Sequence, residues 1–174
     1  MDYSISKSIE ILSRTPDVLI ALTSNLSEEW THVNEGEETW SVYDVIGHLI
    51  HGESTDWMAR MDIILSDLQD KTFTPFDRFA QFKESEGKSL QQLLEEFKQL
   101  RHKNLDYIKS KDLHTDDLIK TGVHPHFGEV KLSHLLSCWT VHDLNHISQI
   151  CRVMAKQYKE AVGPWYEYLR ILKS

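Results

Sequence analysis

The chain has 174 residues and a mass of 20.3 kDa, enough for one domain whose core needs no disulfide or structural metal to hold it. Hydrophobic residues make up 40% and charged residues 26%, which excludes a disordered chain, and seven Gly with four Pro exclude a collagen-like one. Nineteen Lys and Arg against 27 Asp and Glu leave a net charge of −8, and an acidic surface repels phosphate backbones, so no nucleic-acid partner is expected.

The periodicity is helical almost throughout. Residues 4–13 and 18–26 carry apolar side chains at helical spacing, and Thr15-Pro16-Asp17 between them reads as a helix start with Thr15 as N-cap. Ser41 is the N-cap expected for the next helix. Asp44 stands in the capping-box position, and Trp40 with Val45 in those of a hydrophobic staple. The spacing predicts one helix from Val42 to about Asp67. Residues 68–88 break the pattern yet hold Phe73, Phe76, Phe79 and Phe82. Four Phe are expected to be packed, as a lid or as a short helix laid on the bundle.

Ser89 caps a third helix, Leu90 to about Lys109. Gly122, Pro125 and Gly128 mark a second connection, with residues 119–123 and 129–132 as a candidate hairpin. A long helix follows from Lys131 to about Glu160, and Gly163-Pro164 ends it and opens a short one, Trp165 to Leu172. The sum is an all-α fold, a four-helix bundle with long crossover connections, in one domain spanning residues 1–174.

No stretch nears the roughly 18 apolar residues of a membrane span. The start Met1-Asp2-Tyr3-Ser4 lacks the pattern of a secretory leader. Cys138 and Cys151, if on one helix, lie about 20 Å apart along its axis, beyond disulfide reach. Two free thiols point to a reducing compartment, so a cytoplasmic location is expected.

His is the unusual residue, at ten copies. On a wheel at about 100° per residue, Leu135, Cys138, Trp139, His142, His146, Gln149 and Val153 share one face of the last long helix. Imidazoles at i and i+4 reach a single metal ion. On the second helix Val45, Leu49, Gly52, Ala59 and Ile63 define the apolar face. His48 sits at its edge, within reach of the core, and His51 is placed further round, in solvent. His48, His142 and His146 would give three nitrogen ligands and an open position, the pattern of a catalytic site; core histidines bonded to protein are the alternative. Asn145 and Gln149 flank the pair on the inner side, as partners orienting a ligand or as ordinary polar packing. Asp56 falls near the centre of the apolar face, paired with Arg60 or serving as a substrate contact at the site mouth. It lies about 12 Å from His48 along the helix, too far to be a fellow ligand. Arg152 and Lys156 are expected in solvent, and His124-Pro125-His126 is expected as a turn. Gly47 points outward, which suggests a crossing helix or a subunit contact. The absence of H-E-x-x-H, G-x-S-x-G, P-loop and G-x-G-x-x-G sets aside zincin, serine-hydrolase, nucleotide and dinucleotide chemistry.

Trp40-Ser41, the run Gly47-His48-Leu49-Ile50-His51-Gly52-Glu53, the run His142-Asp143-Leu144-Asn145-His146-Ile147-Ser148-Gln149 and Ala161-Val162-Gly163-Pro164-Trp165 together resemble the DinB superfamily, the DinB/YfiT-like metalloenzymes. The resemblance implies a four-helix bundle with a divalent ion on three histidines, which map onto His48, His142 and His146. Zinc or nickel is the expected ion, with manganese or iron as further options. Some members transfer or isomerise with the low-molecular-weight thiols bacillithiol and mycothiol, and members are often dimers, so a small-molecule substrate, a thiol co-substrate and a homodimer are expectations. A divalent ion on three neutral imidazoles acidifies a water or thiol, so the expected reaction is hydrolysis of, or thiol transfer to, a small electrophile. The alternative is a non-catalytic metal- or small-ligand-binding bundle.

Overall fold

The computed structural model describes residues 3–173; Met1 and Asp2 of the amino-terminal reading, and Ser174, lie outside them. The helices are α1 (Ile5–Leu12), α2 (Thr15–Thr23), α3 (Glu28–Thr31), α4 (Val42–Thr55), α5 (Trp57–Leu65), α6 (Ala80–Glu84), α7 (Leu90–Ser110), α8 (Thr115–Leu118) and α9 (Leu132–Lys156). A hairpin of β1 (Thr121–His124) and β2 (Gly128–Lys131) precedes α9.

The bundle has four units: α1 with α2, α4 with α5, α7, and α9. The first unit packs on α7 and α9, and so does the second. Successive units one and two therefore lie diagonally, as do α7 and α9, and the crossovers are residues 24–41 and 111–131. Residues 66–89 join neighbours. No helix among the described residues is long and apolar enough to cross a membrane.

Local chemistry accounts for most boundaries. Ser41 accepts from the Asp44 amide (3.2 Å) while the Asp44 carboxylate accepts from the Ser41 amide (2.9 Å), a complete capping box. Ser89 and Gln92 do the same for α7. Thr15 is not an N-cap. α1 passes into α2 through one turn, so the cap residue is Arg14 in a helical conformation, and the Thr15 hydroxyl donates back to the Ile11 carbonyl instead (3.4 Å). The helix expected to run from Val42 to Asp67 bends at Asp56 (φ −110°, ψ −70°). Gly52 makes room there: a Cβ on it would stand 3.2 Å from the Trp57 indole nitrogen. The carboxy-terminal helix is two 3₁₀ turns, Gly163–Tyr168 and Arg170–Leu172, and only Leu172 of them is buried.

The hairpin is antiparallel, with Gly122 opposite Val130. Residues 71–73 lie along its edge, the Phe73 amide donating to the Val123 carbonyl and the Val123 amide to that of Lys71 (2.9 Å each). Gly122 is glycine because the Phe73 ring occupies the position of its missing Cβ, 2.5 Å away. Of the four phenylalanines only Phe73 is fully buried. Phe76 is half-buried, and Phe79 and Phe82 are 60% and 47% exposed, so the expectation that all four pack holds for two.

Two apolar clusters fill the bundle. One gathers Leu19, Val42, Val45, Leu93, Phe97, Ile150 and Val153; the other gathers Leu12, Trp57, Met61, Leu105, Leu132, Leu136 and Trp139. Between them along α4, α7 and α9 stand the polar residues His48, Glu53, Arg101, Asn104, Asp143 and His146, all buried. A polar layer thus crosses the bundle at mid-height, and the functional side chains belong to it.

Candidate metal centre

His48 comes from α4, and His142 with His146 from α9, where these two helices pack together. The three are the group of potential ligands that the described residues assemble. The Nε2 atom of His142 lies 3.1 Å from that of His48 and 3.0 Å from that of His146. Nδ1 of His146 donates to Oε1 of Gln149 (2.8 Å), because an amide oxygen only accepts. That bond fixes the tautomer and leaves a lone pair on its Nε2. One ring nitrogen of His142 cannot make two good hydrogen bonds at once, and Nδ1 of His48 and of His142 are buried without a partner. Hydrogen bonding inside the protein therefore does not satisfy the cluster. A cation accepting the three converging Nε2 lone pairs resolves the crowding of those atoms, and the donor set fits a borderline divalent ion.

Electrostatics keeps the rings in the ligating, neutral form. Burial, reinforced by the charges of His146, His51 and Arg78, lowers His48 to about 3. Burial, with His146, His48 and Arg101, lowers His142 to about 2. Burial lowers His146 also, against its bond to Gln149 and the charge of Asp143. Aromatic rings supply that burial. Trp40 lies 4.7 Å from the His48 ring and stacks at 6.4 Å on His146; Phe76 meets His48 edge-on at 5.4 Å; Trp57 meets His142 edge-on at 5.2 Å.

Beside the histidines is an ionic network that inspection of the sequence missed. Arg101 is fully buried and donates to Asp143 (2.5 and 2.9 Å), to Glu53 (2.8 Å) and to the Leu12 carbonyl (2.9 Å). Glu53 also accepts from Trp139 (2.8 Å) and Asn104 (2.9 Å). Burial opposes the guanidinium charge, but Glu53 and Asp143 outweigh it and raise the pKa. The available signal was position: the buried stripe of α9 runs Leu132, Leu136, Trp139, Asp143, His146, Ile150, Val153, a heptad-like alternation of three and four that places Asp143 at its centre.

That stripe also corrects two placements. Asn145 is exposed, not on the inner side, and Cys138 is exposed rather than facing inward with His142, which is itself half-buried at the stripe's edge. His51 is buried, not in solvent. α6, from the Phe-bearing connector, lies across α4 there, and the His51 ring meets Glu84 (2.9 Å) and Phe76 (4.9 Å). The same crossing explains Gly47, where a Cβ would collide with the Ser85 hydroxyl. Asp56 pairs with Arg60 (2.7 Å), and burial raises its pKa against the pull of Arg60 and His51. His124 accepts at Nδ1 from the amides of His126 and Phe127, as a turn residue does.

His48 and His146 line an open cleft of about 580 Å³, together with Glu35, Glu38, Thr39, Trp40, Phe76, Arg78, Gln149 and Arg152. Arg152 and Lys156 are not free in solvent. Both clasp Glu35, Arg152 through two nitrogens and Lys156 at 3.1 Å, and the Arg152 hydrogen bonds hold that carboxyl below its usual range.

The solved structure of YfiT from Bacillus subtilis is similar to this one, with a TM-score of 0.74 and 16% identity over 88% of this chain and 87% of that one. That protein is described as a probable metal-dependent hydrolase with an unusual four-helix bundle topology. No curated protein matches the chain. The model of the DinB superfamily matches residues 11–150, a span that runs from the end of α1 through most of α9 and contains all three histidines, and the chain belongs to that superfamily.

Proposed function

We propose that this protein is a divalent-metal-dependent hydrolase of small electrophilic substrates, with His48, His142 and His146 holding a zinc or nickel ion. One observation carries the reading: three imidazole nitrogens converge beside an open cleft, and no Cys, Asp or Glu joins the group among the described residues. A site of three protein ligands that opens to solvent is of the catalytic type. The chemistry such an ion supplies is Lewis acidity, which acidifies a water and polarises the oxygen of an electrophile. The protein's own groups do the rest. Gln149 fixes the tautomer of His146. Trp40 and Phe76 cover His48 and keep bulk water from its ring. Glu35, held by Arg152 and Lys156, shapes the far wall. The description of the YfiT fold relative as a probable metal-dependent hydrolase favours water over a thiol as the nucleophile.

The test begins with elemental mass spectrometry on protein purified without chelator, beside His142→Ala. Close to one divalent ion per chain, lost in the variant, is the expected result. Activated esters and amides are then assayed with and without a low-molecular-weight thiol. Turnover in water alone supports the hydrolase. Turnover that requires the thiol reassigns the site to transfer. No metal after reconstitution with zinc, nickel or manganese refutes the reading and leaves a ligand-binding bundle.

A further inference from the structure

Two arginines, Arg78 and Arg152, line the cleft among the described residues. Arg152 is spent on Glu35, whereas Arg78 is exposed and pairs with no carboxylate among the described residues. Its guanidinium lies instead over the rings of Trp40 (5.8 Å) and Phe79 (5.5 Å). In a chain with 27 acidic and 19 basic side chains, a cation left without a carboxylate beside a cleft is available to a ligand. It lines the same cleft as His48 and His146. Trp40 and Phe76, both half-buried and both against His48, line the cleft with it. They offer apolar ring surface to a flat group. Glu38, also on the rim and without an ion-pair partner among the described residues, repels a second negative group.

We propose that the cleft takes a small, singly charged anion with a flat apolar part, its carboxylate-like group on Arg78 and its flat part against Trp40 and Phe76. An arginine fork suits a planar or tetrahedral oxyanion through two parallel hydrogen bonds. The apolar part then lies beside the histidine cluster, which places the bond to be cut there and the anion at the mouth. Naming this ligand a substrate rests on the hydrolase reading above; its binding does not, so the two ideas fail separately.

The probe is benzenesulfonate, whose anion is a poor metal ligand and therefore reports Arg78 rather than the ion. Its dissociation constant on the full-length, metal-loaded protein is measured by calorimetry, beside uncharged methyl phenyl sulfone and ring-free methanesulfonate. Benzenesulfonate is expected to bind at least about tenfold more tightly than either, the scale of one charge-assisted hydrogen-bonded contact and of one buried ring face. Arg78→Gln brings benzenesulfonate and the sulfone within about twofold of each other, Arg78→Lys retains only part of the difference because an ammonium cannot present the fork, and benzene-1,3-disulfonate binds no more tightly than benzenesulfonate. Metal content is read on each variant and stays at the wild-type value. A sulfonate preference that survives Arg78→Gln overturns the anion site, and methanesulfonate binding as tightly as benzenesulfonate overturns the aromatic half. If both preferences hold but no ester or amide is turned over, the subsite stands and the hydrolase reading fails.

Discussion

Acid should weaken the metal-free fold well above the pH at which carboxylates protonate. His48 and His142 fall from an ordinary 6.5 to about 3 and about 2 in the folded chain. The unfolded chain therefore takes up protons near pH 6.5 that the folded chain refuses. Stability from these groups is complete above that pH and is lost as pH falls toward their folded values. Each contributes a loss of about 2 kcal/mol between pH 7 and pH 5, so the two together cost about 4 kcal/mol, a large part of a typical 5–15 kcal/mol. The assay is denaturant unfolding of metal-free protein at pH 7, 6 and 5, beside His48→Gln/His142→Gln, whose stability should change much less over that range. Metal binds only the neutral rings of the folded chain, so the metal-loaded protein should be more stable than the metal-free protein at each pH of that range. If the wild type and the double variant lose stability in parallel from pH 7 to 5, the rings are not held neutral by burial and the argument fails.

Other parts of the site give shorter tests. Arg101→Met strands Glu53 and Asp143 without their cation, which costs about 3–5 kcal/mol and lowers the melting temperature by about 6–20 °C for a chain of this size; a loss under about 1 kcal/mol in a thermal melt would contradict the network. Gln149→Leu removes the acceptor of His146 Nδ1 and should weaken metal binding about 10- to 100-fold in chelator competition, with unfolding of the metal-free protein little changed. Gly122→Ala drives a methyl group into Phe73 and Ile64 and should cost about 1–3 kcal/mol of overpacking, measured by urea unfolding.

What the sequence disclosed follows from how far each signal reaches. Helix starts closed by a capping box, as at Ser41 and Ser89, are local and legible in the sequence, whereas Thr15 has no such reciprocal partner and caps nothing. The three histidines were found because each sits on or beside the apolar stripe of its own helix. Errors arose where a second element intervenes. A helical wheel knows nothing of α6, so it sent His51 to solvent and left Gly47 open between a helix crossing and a subunit contact. It also sets the stripe's centre from hydrophobic residues alone. Charged residues at stripe positions pull no weight in that sum, so Glu53, Arg101 and Asp143 were passed over, although three charges on three apolar faces are the pattern of a buried ionic layer. The bend at Asp56 depends on Trp57 folding back over Gly52, a contact that no propensity encodes.

The ionic layer and the histidine group form one device. His48 reaches the cluster from α4, and His142 and His146 reach it from α9, so the three nitrogens meet only if the two helices keep their relative height. Glu53 lies five residues beyond His48 on α4, and Asp143 is the neighbour of His142 on α9; Arg101 of α7 holds both carboxylates and the end of α1 at once. Apolar packing alone tolerates small slips between helices, because many side-chain arrangements bury similar area. A guanidinium forked between two fixed carboxylates does not, since a slip that breaks it leaves a buried charge unpaired. Replacing the network by well-packed hydrophobic side chains would thus keep a bundle while loosening the register on which the site depends.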